Sequence, residues 1–347
     1  EIAGRPIGAD HPPFVIAEMS GNHNQSLERA LEIVEAVSNS GAHAIKLQTY
    51  TPDTMTLKKI DGSFKINDTE SLWKGKSLHE LYKLAYTPWE WHAPIMERAH
   101  ELGLICFSSP FDETAVDFLE SLNAPAYKIA SFENNHLPLI AKAAATGKPL
   151  IISTGMASLG ELELAVNTAR DAGCNQLILL KCTSTYPASP ENTNIRTISH
   201  LRDLFKTEVG LSDHTMGLGV AVASVALGAS VIEKHFTLAR KDGGVDSAFS
   251  LEPQELTSLV VETTRAWESL GKIQYGPSEA ELKSLMFRRS IYVSEDIKAG
   301  DVFTVQNLRI VRPGHGAPPY LLSSLLGKVA RKNYTAGTAL NFDQLLG

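Results

Sequence analysis

Eight strand-sized runs, each followed by a stretch with helical spacing, set the strongest limit on what this chain can fold into. The runs are Phe14 to Ser20, Ala44 to Tyr50, Ile105 to Phe111, Ala126 to Ser131, Leu150 to Gly155, Leu177 to Thr183, Val209 to His214 and Ser230 to Phe236. Between them, apolar residues recur at helical intervals, as in Leu27, Ala30, Leu31, Val34 and Val37, or Ala115, Phe118, Leu119 and Leu122. Gly41, Gly103, Gly147, Gly173 and Gly228 stand where these helices should stop. Such alternation builds a parallel sheet, either open and doubly wound or closed. An open dinucleotide-binding sheet would carry GxGxxG after its first strand, whereas Glu18-Met19-Ser20-Gly21-Asn22-His23-Asn24 has a single glycine. The expected fold is therefore α/β, a (β/α)8 TIM barrel whose last helix covers Glu252 to Leu270.

Two features depart from the plain barrel pattern. Residues 51 to 87 separate the second strand from its helix, far beyond the roughly 2 to 6 residues usual for such a loop. A loop of this size at the C-terminal face of a barrel is expected to cover a ligand, the alternative being an ornamental insertion. The βα rhythm then ends near Gly271, which divides the chain into a barrel at 1–271, a polar linker at 272–287 and a small β-rich domain at 288–347. The small domain contains two similar turn-like phrases, Ala299-Gly300-Asp301-Val302-Phe303-Thr304 and Ala336-Gly337-Thr338-Ala339-Leu340-Asn341. A twice-folded module of this size is marginal alone and is expected to dock on something.

Composition removes several function classes. The 347 residues include 43% hydrophobic side chains, enough for a full core, and a net charge of -7 with no long basic run argues against nucleic acid as a partner. Cys106, Cys174 and Cys182 form no CxxC pair and read as free core thiols of a reducing compartment. The longest apolar stretch, Leu218 to Ile232, falls short of a bilayer span and reads as a helix feeding a strand. With no leader pattern at Glu1-Ile2-Ala3-Gly4-Arg5, the expectation is a cytoplasmic protein without a membrane partner.

Barrel strands converge on one mouth, and here their ends are polar: Glu18, Lys46 and Gln48, Ser108 and Ser109, Lys128 and Ser131, Ser153 and Thr154, Lys181 and Thr183, Ser212 and His214, Glu233 and His235. Three lysines gathered at a mouth expect an anion, because desolvating them alone costs several kcal/mol each. His214 and His235 end neighbouring strands, which lie about 5 Å apart, so two imidazoles on one face could share a metal ion. Two histidines suit an open site completed by water and substrate, with a Mn-, Mg- or Zn-type ion; hydrogen-bonded core histidines are the bland alternative. Glu18 and Glu133 are candidates for proton transfer or for pairing with a lysine. Lys128 and Ser131 are three apart and cannot both face inward on one regular strand. Trp73, Trp89 and Trp91, in or beside the long loop, could stack on a sugar or acetamide face, although packing the loop is their commoner use. A metal-dependent hydrolase is a weaker reading, because no HxH follows the first strand, and a non-catalytic glycan-binding protein would not need the lysines.

Seven motifs taken in order resemble the sialic acid synthase family: Ile16-Ala17-Glu18-Met19-Ser20-Gly21-Asn22-His23-Asn24, Lys46-Leu47-Gln48-Thr49-Tyr50, Ser108-Ser109-Pro110-Phe111-Asp112, Tyr127-Lys128-Ile129-Ala130-Ser131, Ser153-Thr154-Gly155-Met156, Gly210-Leu211-Ser212-Asp213-His214 and Glu233-Lys234-His235-Phe236-Thr237. Arg309-Ile310-Val311-Arg312-Pro313-Gly314 is similar to part of the antifreeze-like (SAF) domain that closes such synthases. The resemblance implies condensation of phosphoenolpyruvate with an open-chain aminosugar, with release of phosphate. It places a Mn2+ or Mg2+ ion on His214 and His235, acid/base roles on Glu18 and Glu133, and phosphoenolpyruvate contacts on Lys46, Lys128, Ser131, Ser153 and Ser212. It also implies substrate contacts by Gln48, Tyr186 and Asp246. Arg312 would reach the site from the opposite subunit of a domain-swapped homodimer. Residues 72–76, 86–92 and 243–250 look like the branch that accepts 2,4-diacetamido-2,4,6-trideoxy-altrose; N-acetylneuraminic- and legionaminic-type acceptors remain the alternatives.

Overall fold

Residues 1–68 and 72–341 are described by the computed structural model, in which the chain forms two compact units, Glu1–Gly271 and Lys272–Gly347. The first contains eight parallel strands closed into a barrel: β1 (Phe14–Glu18), β2 (Ala44–Thr49), β3 (Ile105–Pro110), β4 (Tyr127–Ile129), β5 (Leu150–Ser153), β6 (Leu177–Cys182), β7 (Glu208–Asp213) and β8 (Val231–His235). Closure comes from β1 pairing with β8, which sets Glu18 beside His235, while β2 on the other side sets Glu18 beside Lys46. The expected barrel is borne out, and each expected run contains its strand except the seventh, whose strand starts one residue earlier at Glu208. Eight helices surround it: α1 (Leu27–Asn39), α4 (Trp89–Glu101), α5 (Glu113–Ser121), α6 (Leu137–Ala144), α7 (Leu159–Asp171), α8 (Thr197–Phe205), α9 (Gly219–Val225) and α10 (Pro253–Leu270). The long second connection contributes α2 (Pro52–Met55) and α3 (Leu78–Ala85).

Local chemistry explains where these helices begin and end. Ser26 caps α1 by accepting from the Arg29 N–H, and Ser158 with Glu161 forms a reciprocal capping box on α7. Gly103 follows α4 at φ 70° and Gly173 follows α7 at φ 97°, a left-handed conformation in which a β-carbon would be strained. No helix among the described residues is long and apolar enough to cross a membrane.

Strand alternation divides the apolar residues into two cores. Phe14, Ile16, Ala44, Phe107, Ala126, Ile151, Ile178, Leu180 and Val231 fill the barrel interior, and Ile2 packs with them. Their neighbours in sequence, such as Val15, Ala17, Ile45, Leu47 and Ile232, face outward onto the helices. Advancing one inward position along several strands replaces that plug with Glu18, Lys46, Ser109, Lys128, Ser153, Ser212 and Glu233. The interior is thus an apolar floor under a polar storey.

The second unit pairs β9 (Ser290–Val293) with β10 (Leu308–Val311) in antiparallel fashion. The two sequence phrases occupy equivalent turns: Gly300 and Gly337 take φ 98° and 86°, and the following Phe303 and Leu340 are both buried in one core with Ile291, Val293 and Tyr334. The segment read as a linker contains 3-10 turns over Glu279–Phe287.

Gly210 is a test of interior packing. A β-carbon there would lie 2.2 Å from the Val231 carbonyl oxygen and 2.7 Å from Leu180 Cδ2. Gly210→Ala should therefore lower stability by about 1–3 kcal/mol or more, read as a lower urea midpoint with an unchanged slope.

Candidate active site

The C-terminal ends of the strands open into a cavity of about 450 Å³. Its lining includes Glu18, Lys46, Gln48, Lys128, Ser131, Glu133, Ser153, Tyr186, Ser212, His214, Glu233, His235 and Asp246. The barrel residues to which the resemblance gives a role are therefore gathered in one place, whereas Ser108, Thr154, Lys181 and Thr183 do not line the cavity. Arg312 belongs to the second unit, immediately after β10, and is exposed.

Buried charge organises the floor of the cavity. Lys46 Nζ lies 2.5 Å from Glu18 Oε2 and 3.9 Å from Glu233 Oε1, and donates to Ser109 Oγ at 3.1 Å. Lys128 Nζ meets the same Glu233 oxygen at 3.4 Å, and the Ser212 hydroxyl donates to it at 3.1 Å. Gln48 donates to Glu18 Oε1 at 2.9 Å. Burial pushes Glu18 up to about 7 despite Lys46, with Glu233 adding repulsion. Burial opposes ionisation of Glu233 as well, but Lys128 and Lys46 together hold it below the usual carboxylate range. One proton is thus favoured on Glu18 rather than Glu233. Burial and the facing Lys46 lower Lys128, against the pull of Glu233, whereas contact with Glu18 raises Lys46 above its ordinary value despite burial.

A second group of polar atoms lies over the ends of β4 and β5. Ser131 begins a 3-10 turn, Ser131–Glu133, two residues past the end of the strand that carries Lys128, which removes the parity conflict. Its hydroxyl accepts from Gly155 N–H at 3.2 Å, and Asn134 ties the turn down by donating to the Ser153 and Gly155 carbonyls. Gly155 is required here: a β-carbon would sit 2.2 Å from Ser184 Oγ and 2.6 Å from Ser131 Oγ. Ser153 Oγ and Glu133 Oε2 are buried without a partner among the described residues, and burial pushes Glu133 up to about 7 even though Lys128 attracts its anion.

His214 and His235 meet on the far wall with ring centroids 5.3 Å apart. His214 directs Nδ1 at the Thr183 carbonyl, 2.9 Å away, and Cys182 Sγ lies 3.9 Å from the same nitrogen. Among the described residues His235 Nδ1 is buried without a hydrogen bond, 3.8 Å from Asp246 Oδ2. Burial, His214 and the lysines depress His235 well below its ordinary value, leaving it a neutral imidazole. Among the described residues no group of three or more His, Cys, Asp or Glu side chains could hold a metal ion, and His214 and His235 stand as a pair. A neutral, unpartnered histidine beside a second ring suits a divalent cation better than it suits a satisfied core. Asp246 in turn accepts from the Ser20 hydroxyl, and Tyr186 packs against His214 at 4.4 Å between centroids.

The other wall comes from the long connection. Met55, Ile66, Trp73, Leu78, Leu81, Tyr82 and Ala85 line the cavity, so this insertion covers the site. Trp73 also donates from Nε1 to the Val245 carbonyl at 3.0 Å, clasping the insertion to the loop after β8. Trp89 stacks on Phe118 and Trp91 packs edge-on to His23; both serve packing.

The NeuB family model matches residues 33–275, and the SAF domain model matches 288–346. Pseudaminic acid synthase of Campylobacter jejuni is 44% identical over 334 residues, covering 96% of this chain and 97% of that protein. The enzyme of the same name from Helicobacter pylori is 43% identical, covering 96% and 98%. A crystal structure of N-acetylneuraminic acid synthetase from Leptospira borgpetersenii, in complex with citrate, superposes with a TM-score of 0.73 at 30% identity, covering 82% of this chain and 94% of that one. The chain belongs to the NeuB family. The resemblance drawn from the seven motifs is borne out.

Within this NeuB-family site some sequence readings need correction. Lys181 is not at the mouth: alternation on β6 turns Leu180 and Cys182 inward, and the Lys181 ammonium instead donates to the Cys182 carbonyl at 2.8 Å. The cavity therefore holds two strand lysines, and each faces a carboxylate. Cys182 is a cavity-lining thiol rather than plain core, whereas Cys106 and Cys174 lie in the outer core. Glu233 was legible as a strand-end carboxylate but not as the counter-ion of both lysines. Asn134 and Ser184 gave no signal beyond their proximity to motif residues.

Glu133 supplies a pH test. Because its folded value lies above its ordinary 4.5, the native state binds more protons than the unfolded chain between about 4.5 and about 7, and stability falls as pH rises through that window. Glu133→Gln removes the part of this dependence that Glu133 contributes, Glu18 keeping its own. The variant should gain stability relative to the parent as pH rises from 5 to 7.5, measured by paired denaturant titrations.

Proposed function

We propose that this chain condenses phosphoenolpyruvate with 2,4-diacetamido-2,4,6-trideoxy-altrose, giving pseudaminic acid and phosphate. The observation that carries this reading is the cavity itself, which joins a lysine–serine floor, two facing imidazoles and an apolar wall. The two relatives named pseudaminic acid synthase support the choice of acceptor.

Lys46 and Lys128, with the hydroxyls of Ser131, Ser153 and Ser212, hold the phosphate and carboxylate of phosphoenolpyruvate. The Ser153 hydroxyl, without a partner among the described residues, lines the cavity as a donor for a phosphate oxygen. Tyr186, Asp246 and Gln48 position the open-chain sugar. His214 and His235 are the ligands for a divalent cation, Mn2+ or Mg2+, which when bound supplies a Lewis acid for the aldehyde oxygen. C3 of phosphoenolpyruvate attacks the aldehyde carbon, water adds at C2, and the resulting tetrahedral carbon loses phosphate as its C–O bond breaks. Glu133 and Glu18, both poised near neutrality by burial, take and return the protons of these steps. The two lysines offset the charge on the departing phosphate.

The site is completed, in this reading, by Arg312 of a second subunit in a domain-swapped homodimer. The excess of basic over acidic side chains in residues 272–341, against the acidic balance of the whole chain, favours such docking.

With Mn2+ present, phosphate should be released from phosphoenolpyruvate only when the diacetamido sugar is added. N-acetylmannosamine giving an equal rate would overturn the acceptor assignment. His214→Ala should reduce turnover at least a hundredfold while retaining a cooperative melt. Arg312→Ala and His235→Ala, each nearly inactive alone, should restore activity when co-expressed, because one composite site of the mixed dimer then has every group. No recovery in purified mixed dimers would overturn the swap.

A further inference from the structure

Tyr50 ends the second strand run and has no task in the chemistry described above. Its ring is 1% exposed and packs edge-to-face against Tyr82 and Phe111, with centroids 5.8 and 5.2 Å away. Trp89 fixes its backbone by donating to the Tyr50 carbonyl at 3.2 Å. The residue lines the cavity, yet its hydroxyl makes no hydrogen bond to another described residue. A phenol held this rigidly and left without a partner is completed by whatever enters.

The surroundings restrict what that is. Leu81 and Ala85 of α3, 6% and 7% exposed, share the cavity lining with Phe111 and leave an apolar space beside the phenol. Burial first, and then Asp246, Tyr82 and Glu18, raise the Tyr50 phenol well above its ordinary value, so it stays protonated as a donor in surroundings that disfavour an anion. The partner is accordingly a neutral acceptor atom carrying a small apolar group. An amide carbonyl with its methyl has that form.

We propose that Tyr50, with Tyr82, Phe111, Leu81 and Ala85, forms a subsite for an N-acyl group of the acceptor sugar, the Tyr50 hydroxyl donating to the acyl carbonyl and the apolar side chains enclosing the methyl. This rests on the proposed function for the acceptor's being an acylated aminosugar, and it adds the residues that read the acylation.

The experiment compares the parent and Tyr50→Phe, which removes one oxygen and keeps the ring, on the diacetamido sugar and on its two analogues lacking either acetyl group. Tyr50→Phe should lower kcat/KM for the full acceptor about tenfold, through the acceptor KM, with the phosphoenolpyruvate KM unchanged. For one of the two analogues the parent and variant should agree within twofold, because the group that Tyr50 reads is already missing. An equal loss on all three acceptors, or no loss on any, overturns the subsite. If the parent ignores the diacetamido sugar but uses N-acetylmannosamine, the acceptor assignment fails by itself. The subsite is then judged by the same criterion with N-acetylmannosamine and mannosamine.

Discussion

The alternating charges of Glu18, Lys46, Glu233 and Lys128 are the constraint around which the rest of the barrel is arranged. All four side chains are 5% exposed or less. Buried pairs of this kind roughly break even against apolar residues of the same volume, so the storey of charge does not explain the stability of the barrel. One inward position below it, Ile16, Phe107 and Val231 show that the same strands accommodate an apolar layer. What the charges give is placement: each ammonium is held by a carboxylate on a neighbouring or facing strand, and the close-packed floor prevents either from collapsing downward.

How much of this was legible in the sequence depended on the physical signal each residue carries. Strand runs, helix-stopping glycines and the length of the second connection read well because turn chemistry and period are local. Which face of a strand looks inward reads poorly in a parallel barrel, where both faces are buried and alternation of polarity is lost. That is why Lys181 was placed at the mouth when Cys182 has that position. Lys128 with Ser131 was a conflict that only the short strand β4 and its 3-10 turn resolve. Glu233 required knowing that β8 closes on β1, since its partners Lys46 and Lys128 stand on strands two and four. The tryptophans illustrate the opposite limit: Trp73, Trp89 and Trp91 have similar local settings, and tertiary packing alone distinguishes the cavity-lining one.

The cavity is divided by the origin of its walls. Its charged and hydroxylic side is carried on strand ends and the turns tied to them, where rigid hydrogen-bonded backbone fixes geometry. Its apolar side is carried on α2, α3 and the intervening segment, clasped through Trp73 to Val245. For the proposed reaction, the first side carries the chemistry and the second, where insertions are tolerated, is the side on which choice among acceptors would be made.

Proton placement then decides how the floor meets an anion. With both Glu18 and Glu233 ionised, the two lysines are fully balanced and a phosphate gains little Coulombic attraction on entering. With the proton that burial favours on Glu18, Lys46 is left with charge to share while Glu233 still orients Lys128. The carboxylate that neutralises itself and the one that stays charged differ in surroundings rather than in residue type: Glu233 touches two ammoniums and a serine hydroxyl, Glu18 one ammonium and an amide. For the proposed reaction this asymmetry supplies attraction for phosphoenolpyruvate and a proton-carrying group in the same contact, without any net positive charge on the chain.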